Sequence, residues 1–209
     1  MEEYGIVLDF LPHGKSDDRL KQPIAYVIGT KEYTLLEVVI KRNAQVNLYE
    51  KIYLGKESSN RDKVEKIRGR IEYEQLTSNA KDSLESAIKL ILNEKKQEVI
   101  EFFNNSKPLN IRMHQLELLP GIGKKHLEEF LAERENKKFE SIDDLKSRLQ
   151  NFPDPINCLA QRILTELKDK NQRYYFFIKR PLNLQGGSQG SSWQGQFTAP
   201  TGKSFQKPR

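Results

Sequence analysis

Leu116 to Lys125 read LELLPGIGKK, and this stretch could hold an anion. Gly121 and Gly123 stand one residue apart, behind Pro120 and ahead of Lys124 and Lys125. The N–H groups that open a helix have no partner inside it and carry partial positive charge. A phosphate can bind there if no side chain blocks its approach. Glycine removes the Cβ and permits positive φ. Lys124 and Lys125 add charge, and Ile122 is expected to point inward and anchor the turn. The bland reading is a tight turn between two helices that binds nothing. A P-loop is excluded, because the spacing is not GxxxxGK[ST] and no strand precedes it.

The surroundings favour the grip. A leucine-rich segment precedes LPGIGKK, an amphipathic KKHLEEFLAER follows it, and FESIDDLKSR comes next. Together they resemble the helix-hairpin-helix motif in its doubled form, which holds phosphates without reading sequence. That resemblance implies that the N–H groups of Gly121, Gly123 and Lys125 face a phosphate. It is weaker in the second half, where NFPDPIN lacks a GxG hairpin; that unit is expected to be structural. Charge across residues 107–148 is nearly balanced, so the expected grip is local.

A second cationic candidate is KIRGRIEY, residues 66–73. Its alternation predicts a strand with Lys66, Arg68 and Arg70 on a wet face. Ile67, Gly69, Ile71 and Tyr73 would occupy the dry one. Tyrosines such as Tyr26, Tyr33 or Tyr53 could stack on bases beside it, though at least half of the tyrosines are expected in the core.

The elements that must position these residues fall in sequence order. Residues 4–10, 24–30, 33–40 and 48–55 are short, apolar and rich in branched or aromatic side chains. With 66–73 they predict five strands and a small OB-like barrel over residues 1–76. A small open sandwich is the alternative. A long helix over 77–106 follows, capped by Thr77 or Ser78. Its buried stripe includes Ile88, Ile91, Phe102 and Phe103. Residues 107–181 form the helix-hairpin-helix domain. NIRMHQLELL and KKHLEEFLAER are its first two helices, and helices beginning near Ile142 and Pro155 complete it. RYYFFI (173–178) is read as a last strand docking on the barrel. Residues 182–209, rich in Gly, Ser and Gln and bearing Trp193, are expected to be a disordered basic tail. The fold class is α+β.

Net charge is +6 and the pI about 9.2, which permits a polyanionic partner. No HExxH, CxxC, GxSxG or Walker pattern is present, so neither an enzyme nor a cofactor is expected. His13, His114 and His126 lack partners at metal-ligand spacing. Asp9, Asp17, Asp18 and Glu37 are scattered acids, and a metal-dependent nuclease would need them clustered. Cys158, the sole cysteine, fits a buried apolar position. No apolar run approaches a membrane span, and MEEYGIVLDF lacks a signal-peptide pattern. A cytoplasmic protein is expected.

Taken together, EVIEFFNNSKPLNIRMHQLELLPGIGKK, FESIDDLKSR and RILTELKDKNQRYYFFI resemble an uncharacterised archaeal family of unknown function over residues 1–180. Its members are predicted nucleic-acid-binding, chiefly RNA-binding, proteins that join an OB-like barrel to helix-hairpin-helix units. The resemblance implies a non-enzymatic binder of RNA, or of nucleic acid more broadly. The rival reading is an assembly factor docking on a ribosome or a repair complex.

Overall fold

The computed structural model describes residues 2–178 except 17 and 19. The tail read from sequence lies outside the described residues.

Five antiparallel strands form one sheet: β1 (Tyr4–Leu11), β2 (Ile24–Gly29), β3 (Leu35–Ile40), β4 (Lys51–Tyr53) and β5 (Val64–Arg70). Their order is β4-β1-β2-β3-β5. IAYVIG and LLEVVI are almost continuously apolar, and every residue of β2 and β3 is buried. One sheet face curls around Val7, Val27, Val38, Ile52, Leu54 and Val64. The other presents Ile6, Leu8, Tyr26, Ile28 and Leu35 to the helices. β4 and β5 end the sheet without pairing with each other. An ion pair between Lys63 and Glu50 and a bond from Arg61 Nε to the Gly55 carbonyl (2.9 Å) draw the two ends together. The result is a curled half-barrel.

The predicted long helix is two helices, α1 (Ser78–Glu94) and α2 (Lys96–Asn105). The chain leaves helical geometry at Lys95, with φ −112° and ψ 33°. Thr77 caps α1 by accepting from the Ala80 amide (3.1 Å), and its hydroxyl donates to Asp9 (2.6 Å), fastening the helix start to β1. Phe102 and Phe103 are core residues, as their spacing predicts.

NIRMHQLELL is not a helix. It forms a small hairpin, β6 (Pro108–Asn110) and β7 (Met113–His114), followed by a single 3-10 turn at Gln115–Leu118. Proline supplies no amide and Asn110 accepts from the Arg112 amide (2.8 Å), so the local chemistry favours a turn over a helix. α3 (Lys124–Asn136), α4 (Ile142–Arg148) and α5 (Pro155–Lys168) follow. Ser141 caps α4 from the Asp144 amide (3.0 Å). Asp154 caps α5, whose first residue is Pro155, the position where proline costs nothing.

RYYFFI is not a strand and adds none to the sheet. The buried Glu166 carboxylate accepts from the amides of Phe176 (3.0 Å), Phe177 (3.0 Å) and Ile178 (3.3 Å). Glu166 also pairs with Arg162 Nε at 2.9 Å. Backbone donors that a neighbouring strand would have satisfied are therefore met by one side chain. Phe177 packs on Phe102, ring centroids 5.2 Å apart. One hydrophobic cluster runs from the outer sheet face through α1 and α2 to Phe130, Leu145, Leu159 and Phe177.

Candidate nucleic-acid interface

The 119–125 turn is built from its apolar residues outward. Leu116, Leu119 and Ile122 are buried, and the Ile122 amide donates to the Leu119 carbonyl (3.1 Å). Ile122 is 4% exposed; it anchors the turn and cannot itself touch a ligand. Gly121 has φ +88°, the left-handed region that only glycine enters cheaply, and Pro153 lies 3.4 Å from where its Cβ would stand. His126 Nδ1 bonds the Gly121 carbonyl (3.0 Å), and its ring meets Phe152 edge-on at 6.2 Å. The NFPDPIN segment thus forms the wall behind the turn through Phe152 and Pro153.

Gly123 is the N-cap of α3 and offers no side-chain cap. A Cβ on Gly123 would meet nothing within 4 Å, so the space outside it is open. The first turn of α3 holds no acid. Pro120, Gly121, Gly123, Lys124 and Lys125 are all exposed. Lys125 only grazes Glu129, at 4.0 Å, with its side chain 86% exposed. The arrangement leaves the helix-opening end of α3 facing solvent beside two exposed cations.

The β5 cations do not share a face. The pairing of β5 with β3 slips between Glu37 and Val38, so Arg68 is bulged. Ile67 packs into the curl, whereas Ile71 and Tyr73 pack on the opposite cluster. Lys66, opposite Val39, and Arg70, opposite Leu36, consequently stand on different sides of the sheet. The predicted strict alternation fails at this one residue. Arg68 is also engaged: it pairs with Asp18 and with Glu37 (3.1 Å), which in turn holds Lys15 at 2.5 Å. Bonding to Asp18 is the main cause that raises the Arg68 pKa. Tyr26 and Tyr33 are buried at 2% and 1% exposure, which removes both as stacking platforms. Tyr53 is half-buried edge-on against Tyr4.

Two candidates for chemistry are inert in place. Burial pushes the Cys158 thiol up to about 11. His114 is buried and its Nδ1 accepts from the Leu116 amide (3.2 Å), so it caps the 3-10 turn. Sequence reasoning missed two features of the region. One is the His126 clasp on Gly121, which needs a helix register to see. The other is the 108–114 hairpin, whose signal was Pro108 with Asn110.

A curled antiparallel half-barrel backed by five helices, carrying an exposed glycine turn at the head of α3, defines a mixed α+β protein. Among its described residues no group of His, Cys, Asp and Glu could hold a metal ion, and no helix is long and apolar enough to cross a membrane. The chain belongs to DUF655, a family of proteins of unknown function, whose profile matches residues 1–179. It is 39% identical over 179 residues to the uncharacterized protein MJ0038 of Methanocaldococcus jannaschii, covering 85% of this chain and 80% of that one. The crystal structure of Af1531 from Archaeoglobus fulgidus, also assigned to DUF655, superposes with a TM-score of 0.79 at 38% identity. That match covers 85% of this chain and all of the other.

Proposed function

We propose that this protein is a non-enzymatic nucleic-acid-binding protein, RNA before DNA, that holds a backbone phosphate at the 119–125 turn. The observation that carries the reading is the open approach to the amides of Gly123, Lys124 and Lys125, with no acid or capping side chain competing for them. In this reading the turn is a helix-hairpin-helix grip whose first helix is shortened to the 3-10 turn at Gln115–Leu118. The half-barrel acts as an OB-like support, with Lys66 on one side and Arg70 on the other adding attraction. Arg68 serves the fold and makes no ligand contact. The location is cytoplasmic.

Fluorescence anisotropy with single-stranded RNA, structured RNA and duplex DNA across salt tests this. Each phosphate contact releases counterions, so log affinity should fall linearly with log salt, with a slope of about −0.7 to −0.9 per contact. No binding at low salt, or a flat salt response, overturns the reading. Partners retained after nuclease treatment, without measurable RNA affinity, would favour an assembly factor.

A further inference from the structure

One residue breaks the ordinary rule for turn chemistry. Ile111 sits at the tip of the β6–β7 hairpin and is completely exposed. Asn, Asp and Gly dominate such tips because they bond their own backbone or accept positive φ. Here Asn110 already supplies the turn's bond to the Arg112 amide, so the tip is preformed without help from Ile111. Single exposed apolar side chains are common on protein surfaces. What sets this one apart is its mounting.

The base of the hairpin is clamped. Gln115, 2% exposed, accepts from the Lys107 amide (2.7 Å) and donates its own amide to the Lys107 carbonyl (3.1 Å). His114, at the end of β7, is buried. A rigid stem therefore carries an apolar point into solvent. The segment around it bears Lys107 and Arg112 and no acid until Glu117. Only the 3-10 turn at Gln115–Leu118 separates the stem from the 119–125 turn.

A clamped apolar tip beside a guanidinium, with the nearest acid in sequence, Glu117, held at the foot of the stem by the His114 amide, suits a partner that offers flat apolar surfaces ringed by negative charge. Stacked bases offer that. Proteins that bend or open nucleic acid insert Ile, Leu or Met between base steps in this way. We infer that Ile111 is a wedge that enters between two stacked bases while Arg112 contacts the adjoining phosphate. This rests on the reading of the 119–125 turn as a phosphate grip, and it adds what that grip alone lacks: a preference for RNA that can be unstacked, at bulges and junctions.

The test uses the full chain and a bulged RNA hairpin carrying 2-aminopurine beside the bulge. Ile111 touches no core residue, so Ile111→Ser should melt like the wild type. Wild-type binding should raise the 2-aminopurine signal as the base unstacks. Ile111→Ser should bind about tenfold more weakly, with no rise and an unchanged salt slope, because it removes no charge. Lys124→Ala with Lys125→Ala should do the reverse, flattening the slope while the rise at saturation persists. If Ile111→Ser matches the wild type in affinity and signal, the wedge is wrong and the phosphate grip stands. If the wild type binds no nucleic acid, both fall. If Ile111→Ser loses a nuclease-resistant protein partner and leaves RNA binding intact, the tip is a protein contact and the wedge is overturned.

Discussion

The carboxylate of Glu166 lies 3.0 Å from the main-chain N–H of Phe177, eleven residues further along the chain. The same carboxylate faces Arg162, 5% exposed, so the charge is both buried and paired. Breaking a buried pair by removing one partner commonly costs about 3–5 kcal/mol. Glu166→Gln keeps the shape but removes the charge and turns an amide toward N–H donors. Denaturant unfolding should show a loss near that range. Limited proteolysis should then cut the chain between Arg173 and Ile178, a site closed in the wild type. A variant with unchanged midpoint and protease pattern would show that the strap does not hold this segment.

The two glycines of the turn should part company on substitution. Gly121→Ala forces a Cβ into positive φ beside Pro153, and should cost about 1 kcal/mol or more in thermal or denaturant unfolding. Gly123→Ala sits in extended backbone with open space, so it should cost only the poorer capping of alanine, roughly 0.5 kcal/mol or a little more. Its methyl nonetheless stands where a phosphate would approach. Gly123→Ala should therefore weaken RNA binding in a folded protein, and an undiminished affinity would count against the grip.

Arg68 and Lys66 are two positions apart and should behave differently. Arg68→Ala leaves Glu37, 6% exposed, with Lys15 as its remaining ion-pair partner among the described residues, and should lower the melting temperature measurably. Lys66→Ala removes an exposed side chain from an edge strand and should leave melting unchanged. Lys66→Ala should instead lower RNA affinity at low salt. Equal melting temperatures for the two variants would mean that Arg68 does not support the sheet.

His114 ties stability to mild acid. Burial lowers its pKa from the ordinary value of 6.5, the Arg134 guanidinium adds to this, and Glu117 opposes it. The unfolded chain therefore takes up a proton near pH 6.5 that the folded chain resists, and stability falls as pH drops through that value. Above it the contribution is fully present. Unfolding measured from about pH 7.5 to 5.5 should show this decline. His114→Asn keeps a capping oxygen and removes the proton, so its profile should be flatter over the same window.

The strand segments could be read because β2 and β3 are continuous apolar runs bounded by turn residues. α3 to α5 could be read from periodicity, Ser141 and Pro155. The errors have physical causes of one kind. The bulge at Arg68 leaves half-buried isoleucines on both sides of it, so either register satisfies the hydrophobic pattern. The bend at Lys95 has neither glycine nor proline to announce it. RYYFFI has strand composition, but its amides find Glu166, a partner that no local pattern shows. In the candidate site, the inward Ile122 and the exposed glycines were legible from residue type. The spent charge of Arg68 and the buried rings of Tyr26 and Tyr33 were not, because both depend on contacts distant in sequence.

The hydrophobic cluster that joins the outer sheet face to Phe130 and Phe177 is continuous, and the sheet separates it from the cluster under β5. The head of α3, seated on the first cluster, and the edge strand β5, seated on the second, are in effect two marks on opposite layers of one packed body. A ligand that touched both would have to match the spacing between them. Recognition by such an object would be a matter of measurement: a ligand fits both marks by its own spacing, or it touches only one.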